Sequence, residues 1–322
     1  MSKSKIIVFI SLFFVSCAAC ESGNSKEQEA GTAEHNLIQD PSFKKGISLA
    51  GVNSSNPKTK HIIYPFSTSD YNPVWRLAEW GSKYSLNDSV STITENGVTY
   101  SNIAKSVSFK DLGETTQVTL EVYGSKEYSL PRQAGEDWPH VLLEQQFESP
   151  QALKDISSLI FNLDFRLLFS EMKMNSEEFD PSLHTTQVTI YLTLVNMNKQ
   201  SEGYGDFIWF GLPIYDYRFD VIDEYAAKDS GKEDASNKFI YSVGSKPLFS
   251  EIPKDGNWIS ISRDIIDLME LAFSTAQKRG FIQNSEHSDM YITSTNMGWE
   301  TQGTFDCGIQ YKNLSLQAST AE

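Results

Sequence analysis

Alternation of apolar and polar residues, repeated in segment after segment, is what most limits the folds open to this chain. Val118, Leu120 and Val122 alternate with polar neighbours, and so do Leu159, Phe161, Leu163, Phe165 and Leu167. Val188, Ile190, Leu192 and Leu194 are opposed by Thr189, Tyr191 and Thr193; Phe305, Cys307, Ile309 and Tyr311 alternate with Thr304, Asp306, Gly308 and Gln310. Successive side chains on a strand point to opposite faces, so period two means one packed face and one wet face, the pattern of antiparallel sheets. Phe207-Ile208-Trp209-Phe210 and Phe239-Ile240-Tyr241 are apolar on both faces and read as central strands.

One helix is expected. Ile265, Ile266, Leu268, Met269, Ala272, Phe273 and Ala276 recur at helical spacing, with Ser262 as N-cap, Asp264 in the first turn and Lys278, Arg279 and Gly280 closing the last. A single amphipathic helix among many strands covers an open end or edge of a sandwich. No internal repeat is visible, and the polar loops at 53–60 and 228–237 are too short to link domains. Residues 36–318 are therefore expected to form one all-β antiparallel sandwich, with 319–322 a tail.

Charge and cysteine usage narrow the function classes. The chain carries 27 basic and 42 acidic residues, a net charge of −15. Such a balance disfavours nucleic acid and any electrostatic grip on anionic lipid, although a local arginine cluster could still hold an anionic polymer. Three cysteines make no disulfide framework, and Cys307 reads as a small buried hydrophobe. His35, His61, His140, His184 and His287 are scattered without the spacing of a zinc site.

The first twenty residues, MSKSKIIVFISLFFVSCAAC, give an address. Lys3 and Lys5 precede an apolar run, Ile6 to Val15, too short for a stable membrane span, and Ser16-Cys17 closes it. The segment resembles a bacterial lipoprotein signal, which implies cleavage after residue 16 and lipidation of Cys17, with Cys20 the alternative. Loss of Lys3 and Lys5 would leave 25 basic against 42 acidic residues, net −17. Residues 21–35 hold no large apolar side chain and read as a tether reaching about 50 Å at most. Glu21, Glu27 and Glu29 resemble the surface-export signal of Bacteroidetes lipoproteins, though a merely soluble linker would look alike.

Asn36-Leu37-Ile38-Gln39-Asp40-Pro41-Ser42-Phe43 resembles the opening strand of carbohydrate-binding jelly rolls. Pro73-Val74-Trp75-Arg76-Leu77 and Asn296-Met297-Gly298-Trp299-Glu300 resemble stretches of lipoproteins from polysaccharide-degrading Bacteroidetes. These resemblances imply a jelly-roll sandwich on the outer membrane, facing the cell surface or the periplasm, with a polysaccharide and other components of a glycan-uptake system as partners. No cofactor is expected. A structural calcium ion, held by Asp, Asn and carbonyl oxygens, is also what such jelly rolls imply; no spacing assigns its ligands.

Flat rings stack on the C–H faces of sugars. Trp75, Trp80, Trp138 and Trp299 are the candidate platforms, with Tyr215 or Tyr217, whereas Trp209 and Trp258 read as core. The segment from Glu127 to His140 is a polar loop by its Pro and Gly content, feeding a strand that carries Glu144. Tyr128, Arg132 and His140 are the residue types of a polysaccharide lyase: a base, an acid and a cation that neutralises a uronate. Glu144 with Asp216 could instead be the paired carboxylates of a glycoside hydrolase. Loop hydrogen bonding is the plainer account of Arg132 and His140, and pairing of Asp216 with Arg218 on one strand face the plainer account of those two. Three functions stay open: glycan binding, glycan cleavage by Tyr128, Arg132, His140 and Glu144, and a structural lipoprotein without a glycan.

Overall fold

The computed structural model describes residues 34–53, 61–67, 70–230 and 236–320. The signal, the lipidation candidates Cys17 and Cys20, and nearly all of the tether lie outside the described residues, as do most of the loop at 53–60 and the centre of that at 228–237.

Strands are numbered along the chain. The first sheet runs β15 (Ile259–Asp264), β10 (Ile156–Met172), β17 (Phe305–Thr320), β8 (Thr116–Tyr123), β7 (Lys105–Asp111), β6 (Gly97–Ser101) and β5 (Val90–Thr94), with β1 (Glu34–Asn36) also paired to β17. The second runs β13 (Tyr225–Lys228), β14 (Phe239–Ser242), β12 (Phe207–Asp216), β11 (Thr185–Asn196), β16 (Met290–Gln302), β9 (His140–Ala152), β4 (Trp75–Ala78), β2 (Ile47–Leu49) and β3 (His61–Ile63). Sequence neighbours are often not sheet neighbours, and the fold is a jelly-roll β-sandwich. Pairing is antiparallel except at β2–β4 and β12–β14, two departures from the expected pattern.

The alternating residues face each other across the core. Val118, Leu120, Leu159, Phe161, Leu163 and Phe165 from one sheet and Val188, Ile190, Leu192 and Leu194 from the other are all at most 1% exposed. Cys307 lies among them; burial pushes its thiol up to about 12, against the Thr186 and Thr301 hydroxyls. β1 begins at Glu34 and β17 runs to Thr320, so strand pairing takes in four residues that the sequence alone assigns to tether and tail.

The helix, α2 (Ile266–Lys278; α1 is the single turn Gly124–Glu127), buries Met269, Ala272, Phe273 and Ala276. It packs on β10 of one sheet and on β12 and β14 of the other, closing the open edge of the sandwich. Ser262 is not its cap but lies within β15. Asp264 does that work: its carboxylate accepts the Ile266 N–H at 3.1 Å and the Leu159 N–H at 3.0 Å. Burial opposes its charge, yet these N–H donors hold its carboxyl below the usual range.

The opening motif is structural. Asn36 Oδ1 accepts the N–H groups of Ile38 (3.1 Å) and Leu316 (2.9 Å), and Phe43 is buried with its ring 5.1 Å from that of Trp75.

Candidate functional site

Register brings the outward side chains of the second sheet into rows. Arg76, Glu144, Asn296, Tyr191, Gly211 and Ser242 are consecutive partners across β4, β9, β16, β11, β12 and β14. Four residues along, His140, Glu300, Gln187 and Asp216 make a second row, in which Glu300 and Gln187 are half-buried and His140 and Asp216 are covered. Between them lies Ala78, Leu142, Gly298, Thr189 and Pro213. This row, in which Leu142 is the one large side chain, lies between rows of longer polar ones and outlines a trough that crosses the strands, with the flanking rows roughly 13 Å apart at the backbone.

Aromatic rings stand at one end and behind the first row. At one end, Trp80 donates its indole N–H to Glu144 Oε1 at 3.3 Å, and the Arg76 guanidinium lies 5.5 Å from its ring centre. Trp209 pairs with Thr193 and so stands one row outside Tyr191, on the side away from the floor; it meets Tyr191 edge to face at 5.9 Å and donates to Ser236 Oγ at 3.0 Å. Trp209 is half-buried on the outer face, not in the core as its apolar strand suggests. Its neighbours Phe207 and Ile240 also face outward, which explains why both faces of these strands are apolar. Burial pushes the Tyr191 hydroxyl well above its ordinary range, and Glu300 and Asp229 push it further, so it stays a neutral donor.

Other candidates are interior. Trp75 is 1% and Trp299 0% exposed; their indole N–H groups donate to the carbonyls of Asp40 (2.8 Å) and Leu120 (2.9 Å). Neither ring can meet a polymer, and both are corrected to core. Tyr215 is 2% exposed, edge-on to Trp299, and leaves the candidates with them. Asp216 is held by the Arg218 guanidinium at 2.6 and 2.9 Å and by Thr185 Oγ1 at 2.8 Å.

Tyr128, Arg132 and His140 are gathered, but tied into their own loop. Arg132 is 4% exposed, donating to the carbonyls of Glu136 (2.8 Å) and Leu183 (3.3 Å) with its guanidinium 4.6 Å from the Trp138 ring centre. Trp138, half-buried, stacks on His140 at 5.7 Å, and His140 is 7% exposed with Nε2 3.8 Å from Glu300. The Tyr128 hydroxyl donates to Asp137 O at 2.7 Å, and burial pushes its ionisation up. A lyase needs these groups free to reach a uronate; here they fasten the 127–140 loop to the end of the sheet.

The carboxylates are not a hydrolytic pair either. Glu144 and Asp216 are three strands and four residues apart, roughly 19 Å at the backbone. Glycosidase carboxyls stand about 5–5.5 Å or 6.5–9.5 Å apart. Glu300, which sequence reasoning passed over, is closer to Glu144, roughly 14 Å at the backbone. Glu144, however, is drawn toward Arg76 on β4, on the far side of β9 from Glu300, at 2.8 and 2.5 Å. Gln187 lies 3.5 Å from Glu300. Alternation within Asn296-Met297-Gly298-Trp299-Glu300 was the missed signal: if Met297 and Trp299 pack, Asn296 and Glu300 face out. Among the described residues no three His, Cys, Asp or Glu side chains are placed to hold a metal ion.

No family model matches the chain, and no curated protein matches it. Solved structures similar to it include the endoglucanase Cel12A of Rhodothermus marinus, at 11% identity over 70% of this chain and 92% of that one, TM-score 0.37. A family 12 xyloglucanase from Bacillus licheniformis matches at 12% identity over 73% and 97%, TM-score 0.38. The family 11 xylanase of Neocallimastix patriciarum matches at 10% over 72% and 95%, TM-score 0.34. Likeness of this degree leaves the function to be argued from the residues of the site.

Proposed function

We propose that the trough on the second sheet binds a polysaccharide, and that the chain is a lipid-anchored glycan-binding protein of a polysaccharide-utilisation system. The observation that carries the reading is the pair of polar rows, Arg76–Glu144–Asn296–Tyr191 on one side and Glu300–Gln187, between the buried His140 and Asp216, on the other, flanking the row Ala78–Leu142–Gly298–Thr189–Pro213, with Trp80 at one end and Trp209 behind Tyr191. A sugar chain offers hydroxyl groups along its edges and C–H faces between them, which suits polar walls with an aromatic ring at one end. The ion-paired, separated carboxylates favour holding the polymer over cutting it.

Affinity electrophoresis of the mature chain against neutral plant and algal polysaccharides is the test. One of them should retard the protein, and Trp80→Ala should weaken that binding about tenfold, equal to about 1.4 kcal/mol. Thr189→Trp, which fills the floor, should abolish it while leaving the circular dichroism spectrum unchanged. No retardation by any polymer, or full binding by the filled variant, rules the trough out. Release of reducing ends on incubation would make it an enzyme instead.

The anchor rests on the first twenty residues. Expressed in a bacterium with lipoprotein-processing enzymes, the chain should take up labelled palmitate, and Cys17→Ala should lose it. Retained label in Cys17→Ala that disappears in Cys20→Ala would move the anchor to Cys20. A soluble, unlabelled wild-type chain would remove it altogether.

A further inference from the structure

The other face of the sandwich carries a feature that the trough does not use. Trp258, immediately before β15, is 37% exposed and lies on the outside of the first sheet rather than in the core, where its apolar neighbours suggest it belongs. The Arg166 guanidinium stands 5.0 Å and the Lys312 ammonium 4.9 Å from its ring centre. Register explains the gathering. Ile259 pairs with Phe165, which sets Trp258 beside Arg166, and Lys312 pairs with Asp164 on the other flank of β10.

In a chain of net charge −15, two cations on one ring call for an account. Neither forms an ion pair among the described residues. The nearest carboxylate by register, Asp164, accepts instead from Asn313 Nδ2 at 2.6 Å. Asn313 has φ 58°, a left-handed conformation that asparagine tolerates better than most residues. Arg166 is positioned by a 2.9 Å bond from Nε to Gln310 Oε1, and Gln310 is fixed in turn by donation to Thr119 Oγ1 at 3.1 Å. That bond uses Nε, and among the described residues the two terminal nitrogens have no hydrogen-bond partner, which leaves them for a ligand.

We propose that Trp258, Arg166 and Lys312 form a second saccharide site, selective for an acidic sugar. The exposed part of the indole takes the C–H surface of the ring, and the carboxylate or sulfate lies between guanidinium and ammonium. Guanidinium geometry suits a planar carboxylate or a sulfate edge, and the ammonium adds a point charge. Cation–aromatic contact holds the two like charges on the ring before the anion arrives. Net repulsion of a polyanion by the rest of the surface means that affinity must come from this short-range contact. The site stands independently of the trough, on the opposite sheet.

Titration calorimetry with trigalacturonate, its methyl ester and a sulfated galactan oligomer tests it. Binding of trigalacturonate or of the sulfated oligomer is expected, with the preferred one naming the anion, and the uncharged ester should bind at least tenfold more weakly. The double variant R166Q/K312Q should lose acidic-sugar binding at least tenfold, as should W258A, while neutral-polymer retardation at the trough is unchanged. Thr189→Trp should leave acidic-sugar binding intact. The proposal falls if neither acidic oligomer binds, if the ester binds as well as the acid, or if the double variant binds like wild type.

Discussion

Lys105→Met should lower stability by about 3–5 kcal/mol, the usual cost of removing one partner from a buried ionic cluster. Lys105 faces inward from β7 and is 0% exposed, between Glu79 (0%) and Glu127 (2%). Its ammonium lies 3.4 Å from Glu79 Oε1 and 3.3 Å from Glu127 Oε1, and it also donates to the Tyr84 carbonyl. Each carboxylate is further bound: Glu79 by the Leu86 N–H at 2.7 Å and Ser85 Oγ at 3.0 Å, Glu127 by the Lys83 N–H at 2.6 Å. Methionine matches the lysine stem in volume but strands two carboxylates without a cation. Chemical unfolding should show a lower midpoint with an unchanged slope. Adding Glu79→Gln and Glu127→Gln to Lys105→Met should recover most of the loss, because stranded charge rather than lost packing is the cause. A single variant as stable as wild type would mean that the cluster contributes nothing ionic.

The same cluster ties stability to the trough. Glu79 follows β4 directly, so the bonds from Lys83, Ser85 and Leu86 fix the 79–86 segment, and Trp80 with it. Lys105→Met should therefore weaken neutral-glycan binding even under conditions where the chain remains folded.

Much of the architecture was legible because period two reports faces without knowledge of partners. The runs at 118–122, 159–167, 188–194 and 305–311 lie in β8, β10, β11 and β17 with their apolar residues inward, and the helical spacing at 265–276 is α2. The tryptophans were less legible, because their fate depends on register. Trp75 and Trp299 occupy inward positions of central strands and satisfy their N–H groups on backbone carbonyls, whereas Trp209 and Trp258 sit on outward positions beside apolar neighbours. Lys105 was invisible for a similar reason: only the approach of Glu79 and Glu127 from distant segments makes a buried lysine tolerable. The lyase trio failed on direction rather than proximity, since the chain does assemble Tyr128, Arg132 and His140 but turns them to their own loop.

Gly298→Ala should be among the most damaging single substitutions in the trough. Gly298 lies in β16, between β9 and β11, with φ 154°, and a Cβ there would stand 1.9 Å from Val141 O and 2.9 Å from Val141 C. The obstacle is the backbone of a paired strand, which cannot rotate away as a side chain can. Relief requires β9 to separate from β16, breaking the pairing that aligns Glu144 with Asn296 and His140 with Glu300. Overpacking of this kind typically costs about 1–3 kcal/mol and sometimes more, and backbone strain of about 1–3 kcal/mol adds to it. Soluble yield and unfolding midpoint should both fall, and glycan binding should be lost in whatever folds. Gly211→Ala is the comparison: its Cβ would meet Tyr191 Cε1 at 3.0 Å, a ring that can swing. That variant should fold nearly as well as wild type yet bind more weakly, because Tyr191 is pushed into the trough. Equal stability of Gly298→Ala and wild type would mean that β9 and β16 are not held in the register that builds the floor.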